Sequence, residues 1–430
     1  MVERYVEEAL QQNRGLAERA LDVEGSGQAL REARGAFLPS LSLEARYSIV
    51  SGNALDLGQL VNGAYGALNQ LLGSNQFPTN IEARLPLTQE TKLRLSQPLF
   101  ALEIWRNLQL QRALGAVQEA ELARARRALA AEVRTTYLTW AKLSRVLRLY
   151  QETLGVLEES QRTTEALVAA GKATEDAILR VQAEHAEIEQ RRVETLRDQA
   201  QVRELLNFLR AAPLDAPLEL SEASVLPAKL ELSLESAKEG ALHREELAAL
   251  DAGIRAQTAV RGLATARYFP TLGLAIDYGV QGMKYSFTSA DDLLVISFVA
   301  SWNLFRGFQD EAKEARADLE LAKLERKKDE AVAALELEAR QAHRALEATA
   351  AALSTAQAQA TAASSAFELV RTRFALGAAS QLEFIDARTR LTTAEINLAI
   401  TEYDRQLRWV ELVRAAALEP AAPLESVATP

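Results

Sequence analysis

Glu383 and Asp386 invite the first chemical reading, because they stand three residues apart just past Gly377 and Ser380. Ser380 and Glu383 match the S-x-x-E capping box, and negative charge is favourable at a helix start. Capping is therefore one use open to these carboxylates. The histidines offer less: His185, His243 and His343 are expected on separate helices, with no second histidine three or four residues on, so packed or solvated rings are expected rather than a metal site. The absence of cysteine excludes disulfides, thiolate metal sites, thiol catalysis and an N-terminal lipid-modified cysteine within this chain. No nucleophile paired with a base and no phosphate loop is present. Neither an enzyme nor a cofactor is expected. A formal net charge of −10 argues against nucleic acid as a partner, and the run Arg124, Arg126, Arg127 reads as a solvated helix face.

The elements that must position these residues are organised by a duplication. Phe37 to Tyr47 reads FLPSLSLEARY and Tyr268 to Tyr278 reads YFPTLGLAIDY, with proline, both leucines and the last tyrosine in register. After Pro39, Leu41, Leu43, Ala45, Tyr47 and Ile49 alternate with Ser42, Glu44, Arg46 and Ser48, the period of a strand with one apolar and one polar face. After Pro270 the apolar set is Leu272, Leu274, Ile276, Tyr278 and Val280. Such strands separate oil from water. No window reaches the 18 or so consecutive apolar residues of a transmembrane helix. The opening MVERYVEEAL lacks the basic and apolar regions of a signal peptide, so any export signal is expected to have been removed already.

Taken in order, the chain predicts a helix over Val6–Phe37, the first strand, and a Gly-, Asn- and Leu-rich excursion over Ser51–Asn80 with room for one short helix. A partner strand over Ile81–Leu99 follows, with Ile81, Ala83, Leu85, Leu87, Leu93 and Leu95 opposed to Glu82, Arg84, Lys92 and Arg94. A very long helix then carries the stripe Leu122, Leu129, Val133, Trp140, Leu147, Tyr150 and Leu154, and stops at Gly171, a residue suited to the left-handed conformation. The returning helix runs to about Arg210. The second copy repeats the plan: helix Leu234–Arg267, strand after Pro270, a turn near Ser289–Asp292, strand Leu294–Leu304, a long helix to Leu376, Gly377, and a last helix opening at Ser380. The domains are thus residues 1–212 as first repeat with its hairpin at 40–99, 213–233 as a linker holding Pro213, Pro217 and Pro227, 234–417 as second repeat with its hairpin at 271–304, and 418–430 as a tail holding Pro420, Pro423 and Pro430.

At 1.5 Å per residue each long helix spans roughly 100 Å, about what two of the short helices span together. This predicts strands at one end, glycine turns at the other, and the linker at mid-height. Four strands cannot close a barrel, and at about eight the interior is filled by side chains. Three copies give twelve strands and a watery lumen, into which Glu44, Arg46, Arg84 and Arg94 would face while the leucines face lipid. Phe37, Tyr47, Phe100, Trp105, Tyr268, Phe269, Trp302 and Phe305 fall near strand ends, where interfacial girdles occur.

The twin segments ARGAFLPSLSLEARY and ATARYFPTLGLAIDY, the WNLFRGF taken as opening a helix near Trp302, and the tip sequences GKATEDAILRVQ and GAASQLEFIDAR resemble the TolC-like outer-membrane efflux proteins. The resemblance covers nearly the whole chain. It implies an α+β membrane protein, a homotrimer of two-repeat chains joining a twelve-stranded transmembrane β-barrel to a long periplasmic α-helical barrel. By that resemblance the outer membrane is the location, outer-membrane lipid the surroundings, and a periplasmic adaptor and an inner-membrane pump the partners. It implies a passive exit duct for efflux or type I secretion. It also places Glu383 and Asp386 at a pore constriction, where six carboxylates of a trimer would raise one another's pKa values and attract cations. Gly171 and Gly377 become docking points for the adaptor as well as helix caps. Phe374 and Ala379 stand where family members carry a locking tyrosine and arginine, and Ala177 replaces the acid of the first repeat. Two other readings stay open: a cytosolic long-helix coiled-coil scaffold, which has no reason to carry two-faced strands, and an autonomous, always-open porin.

Overall fold

In the computed structural model, which describes residues 1–49, 55–81, 84–85, 88–220, 232–283 and 291–418, both duplicated segments become strands directly after their prolines. The strands are β1 (Ser40–Tyr47), β2 (Leu55–Asp56), β3 (Arg84–Leu85), β4 (Gln89–Phe100), β5 (Thr271–Gly282) and β6 (Asp292–Ser301). The helices are α1 (Val2–Gln12), α2 (Arg14–Gly35), α3 (Leu57–Leu72), α4 (Leu102–Ala169), α5 (Glu175–Leu209), α6 (Leu234–Ala241), α7 (Glu245–Ala266), α8 (Gln309–Ala375) and α9 (Gln381–Ala415). The positions expected at Glu82, Ala83 and Leu87, the side chains of Arg84 and Leu85, the turn at Ser289, Pro227 and the tail prolines lie outside the described residues. No described helix is long and apolar enough to cross a membrane. The chain divides into two units, Ser26–Gly115 with Gly253–Lys323, and Met1–Gly25 with Ala116–Ala252 and Leu324–Pro430.

The first unit holds an antiparallel sheet in the order β1-β4-β5-β6, so the two copies meet at the β4–β5 pairing. Each strand enters through the same local device. Backbone turns from Phe37 and Leu38 to Arg34 and Gly35, and from Tyr268 and Phe269 to Thr265 and Ala266, end the helix, and Pro39 or Pro270 then favours extended backbone. The register stacks Leu41 with Leu95, Ile276 and Ile296, and Leu43 with Leu93, Tyr278 and Leu294. Alternation places Ser42, Glu44 and Arg46 on the opposite face with Lys92, Arg94 and Asp277. β6 departs from the pattern, since Leu293, Val295 and Val299 make its second face apolar too.

The expected strands of the first hairpin shorten. β1 ends at Tyr47 rather than Ile49, and the strand expected over Ile81–Leu99 divides into β3, paired with β2 in a separate two-stranded sheet, and β4. WNLFRGF does not open a helix: Trp302–Phe308 is a connection with Gly307 and Phe308 in the left-handed region at φ 60° and 62°, and α8 starts only at Gln309. Trp302 Nε1 donates to the Tyr268 carbonyl at 3.0 Å, while Phe37 meets Trp105 edge-on at 5.3 Å.

The second unit is helical. The stripe read on α4 is its buried face: Leu122, Leu129, Val133 and Trp140 pack with Tyr5, Val6 and Ala9 of α1 and Leu206 and Leu209 of α5. The single helices expected over Val6–Phe37 and Leu234–Arg267 are each broken. Asn13 leaves helical geometry because its side chain accepts from Leu16 N–H at 2.9 Å, an N-cap for α2, and donates to the Leu209 carbonyl at 2.8 Å. In the second copy the break falls at Leu242–Arg244, which puts His243 on a turn rather than a helix. There Arg244, only 5% exposed, pairs with Glu246 and Glu338. Beside it Arg127 and Glu245 form a half-buried pair at 2.8 Å. Gly240 lets α6 approach the end of α9, since a Cβ there would lie 2.1 Å from the Ala416 carbonyl oxygen.

Candidate functional site

Two regions could carry function. The first is the polar face of the sheet. Arg94 holds Asp277 with two parallel bonds of 2.7 Å and reaches Glu44 at 3.1 Å, while Lys92 lies 3.4 Å from Asp277 and also pairs with Glu90. Arg46 bonds Glu90 at 2.7 Å. Glu44, Glu90 and Asp277 thus balance Arg46, Lys92 and Arg94 in one connected network spanning three strands. Directly behind it the leucine face is uncovered, with Leu43 68% exposed. A sheet with these two faces is suited to stand between an aqueous and an apolar phase.

The second region is the pair of glycine turns. Gly171 at φ 68° accompanies bonds from its own N–H to the Val168 carbonyl and from Lys172 N–H to the Leu167 carbonyl. Gly377 at φ 70° repeats them with Phe374 and Arg373. Both are Schellman caps, in which the left-handed residue is glycine because a Cβ is disfavoured there. Ser380 opens α9 with the full capping box: its N–H and hydroxyl donate to the Glu383 carboxylate at 2.7 and 3.0 Å, and its hydroxyl oxygen accepts from Glu383 N–H. Those bonds hold the Glu383 carboxyl below the usual glutamate range, with the Arg373 charge acting in the same sense. Asp386 faces outward in an i,i+4 pair with Arg390 at 2.9 Å. Pro39 and Pro270 stand at the starts of β1 and β5.

Sequence reading missed what holds the tips together. Phe374 stacks on Phe384 at 4.9 Å, and Phe384 meets Phe367 at 5.5 Å. Over Phe367 lies the Arg388 guanidinium, 8% exposed, donating to Thr153 Oγ1 at 3.0 Å, with Thr392 Oγ1 3.0 Å from the same hydroxyl. Burial pushes the Arg388 pKa down, and the charges of Glu395 and Glu152 oppose that. Gln381 donates to Ser160 at 2.8 Å and Thr389 to Glu184 at 2.8 Å, so α9 is tied to both α4 and α5. A cleft of about 1240 Å³ between the turns is lined by Thr164, Leu167, Ala177, Phe367, Phe374 and Phe384. The signal available was Phe384 and Arg388 one turn apart on α9, with Phe367 and Phe374 shortly before them at the end of α8, but Thr153, the hydroxyl partner of Arg388, stands 235 residues earlier on α4.

A sequence model of the family described as outer membrane efflux protein matches residues 5–212 and 238–418. The chain is 27% identical over 433 residues to outer membrane protein OprJ of Pseudomonas aeruginosa, covering 96% of this chain and 83% of that protein. Among solved structures it superposes on the outer membrane protein VceC of Vibrio cholerae with a TM-score of 0.80 at 18% identity, covering 96% and 95% of the two chains. It superposes equally on the outer-membrane channel OprN, with a TM-score of 0.80 at 20% identity, covering 98% and 90%. The match takes in both copies, their strands and both glycine turns, and the chain therefore belongs to the outer membrane efflux protein family and resides in the outer membrane.

Proposed function

We propose that three copies of this chain form a passive exit duct through the outer membrane and into the periplasm, working in a tripartite efflux or type I secretion system. One observation carries the reading: a four-stranded sheet with a charged face, an uncovered apolar face, and β1 and β6 as its outer strands. Exposed strand edges invite pairing with another chain. Lipid covers the leucines, and pairing β6 of one copy with β1 of the next closes twelve strands around the charged network. The duct does no bond chemistry. An inner-membrane pump supplies the energy, and a periplasmic adaptor docks at the turns of Gly171 and Gly377. Glu383 and Asp386 line the constriction there, six carboxylates per trimer, the Ser380 cap fixing Glu383 while Asp386 stays exposed. Membership of an outer-membrane family leaves a cytosolic scaffold without support. The test is the mass and symmetry of detergent-extracted particles: three copies with threefold symmetry support the duct, and a detergent-independent monomer contradicts it.

A further inference from the structure

The helix α3 is turned inside out. Its 16 residues lie between β1 and β4, beyond the ends of those strands that lie away from α2 and α4. The side chain of Asn62 donates to the Ile81 carbonyl and accepts from Ile81 N–H, both at 2.8 Å, and Asn69 does the same with Phe77 at 2.8 and 3.1 Å. Tyr65 packs on Phe77 at 5.3 Å. The face that α3 buries against its own loop is therefore its asparagine face, and the leucines point away.

Those leucines are spaced for another helix. Leu57, Val61, Ala64, Leu68 and Leu71 advance by alternating fours and threes, all are exposed, and Leu71 is 82% exposed. Leu60 and Leu72 flank the stripe, at 74% and 60%. Alternating fours and threes make the seam of a coiled coil. A lipid surface is a poorer occupant, since helices lying on membranes carry lysine or arginine on their polar face, and Leu57–Ile81 contains no charged residue at all. The same neutrality means that copies do not repel one another. The hairpin bearing α3 also contributes β1, the edge that a neighbouring copy covers in the proposed trimer.

We infer that the occupant is α3 of the other copies: three α3 helices meet through this seam on the axis of the duct and form an apolar cover over its outward mouth. The inference rests on the trimeric reading above. The cysteine-free chain allows a direct test. Leu68→Cys and Leu71→Cys, oxidised in isolated outer membranes, should give covalently linked copies, whereas Gln59→Cys and Gln70→Cys on the third, polar face should not. The double variant Leu68→Ser, Leu71→Ser should raise single-channel conductance in planar bilayers several-fold. Accessibility of Leu68→Cys to a lipid-soluble quencher without cross-linking would assign the face to lipid and overturn the inference. Labelling by an aqueous maleimide as fast as at Gln70→Cys would overturn it too. Particle mass measured on the same variants separates the two failures: intact trimers without the cross-link sink only the cover, and loss of trimers in the parent chain sinks both.

Discussion

Leu43 and Glu44 are neighbours in β1 with opposite expected tolerances. Leu43 sits mid-strand in the row with Leu93, Tyr278 and Leu294, on the face assigned to lipid. Leu43→Arg places a guanidinium near the bilayer midplane, at a cost of about 2–4 kcal/mol per chain and roughly 6–12 for three chains. At about 1.4 kcal/mol per factor of ten, insertion of each chain falls about 30-fold to 1000-fold. Glu44→Leu removes a 3.1 Å contact with Arg94, whose paired bonds to Asp277 remain. Because Glu44 is nearly half exposed and solvent screens it, that loss is at most about 1 kcal/mol. Urea titration of protein folded into lipid vesicles, read by trimer band shift, should show Leu43→Arg severely depleted and Glu44→Leu near the parent. If Leu43→Arg assembles normally while Glu44→Leu fails, the faces have been assigned the wrong way round.

Asp277→Asn leaves Arg94 and Lys92 without their shared carboxylate and makes the balanced network net positive, so the reversal potential in a potassium chloride gradient should move toward anion selectivity; no movement would take these groups out of the conducting path. Replacing Glu383 and Asp386 by alanine should weaken block by multivalent cations in planar bilayers, and unchanged block would remove them from the constriction. The Glu383 carboxyl has its folded pKa lowered by the Ser380 cap, so its contribution is present above the unfolded value of about 4.5 and lost as pH falls through the lower folded value. The protection factors for hydrogen exchange at the first turn of α9, corrected for intrinsic rates, should fall in that acidic window, and Glu383→Gln should abolish that fall. Gly240→Ala drives a Cβ into the Ala416 carbonyl, so a loss of about 1–3 kcal/mol is expected in thermal unfolding followed by circular dichroism.

What was legible in the sequence was local or repeated. Pro39 and Pro270 mark strand starts because proline acts on the residue beside it, and Gly171 and Gly377 mark turns because glycine alone is at ease in the left-handed region. The capping box needs only Ser380 and Glu383, three residues apart. The break at Arg244 was missed because it depends on Glu338, far along the chain, while the break at Asn13 joins a local cap on Leu16 N–H, readable in principle, to a distant partner, the Leu209 carbonyl. Arg244 stands at the place in the second copy that Asn13 holds in the first, and comparing the copies for helix-breaking chemistry could have found both. The contacts of Thr153 with Arg388 and Thr392 at the tip were hidden because they too join residues far apart in the chain. Nor could composition reveal that α3 turns its leucines outward, since the asparagine clamps that fix its orientation become visible only when residues 62 and 81 are adjacent.

Edge pairing between copies is the claim on which the duct depends, and disulfide scanning reads it directly. One cysteine is fixed in β1 and a second is moved along β6 of the same chain, with oxidation carried out in isolated outer membranes. The duct account expects, at matched positions, a covalent ladder that stops at three copies. Links formed only within a single chain, or a ladder that continues past three, would contradict it.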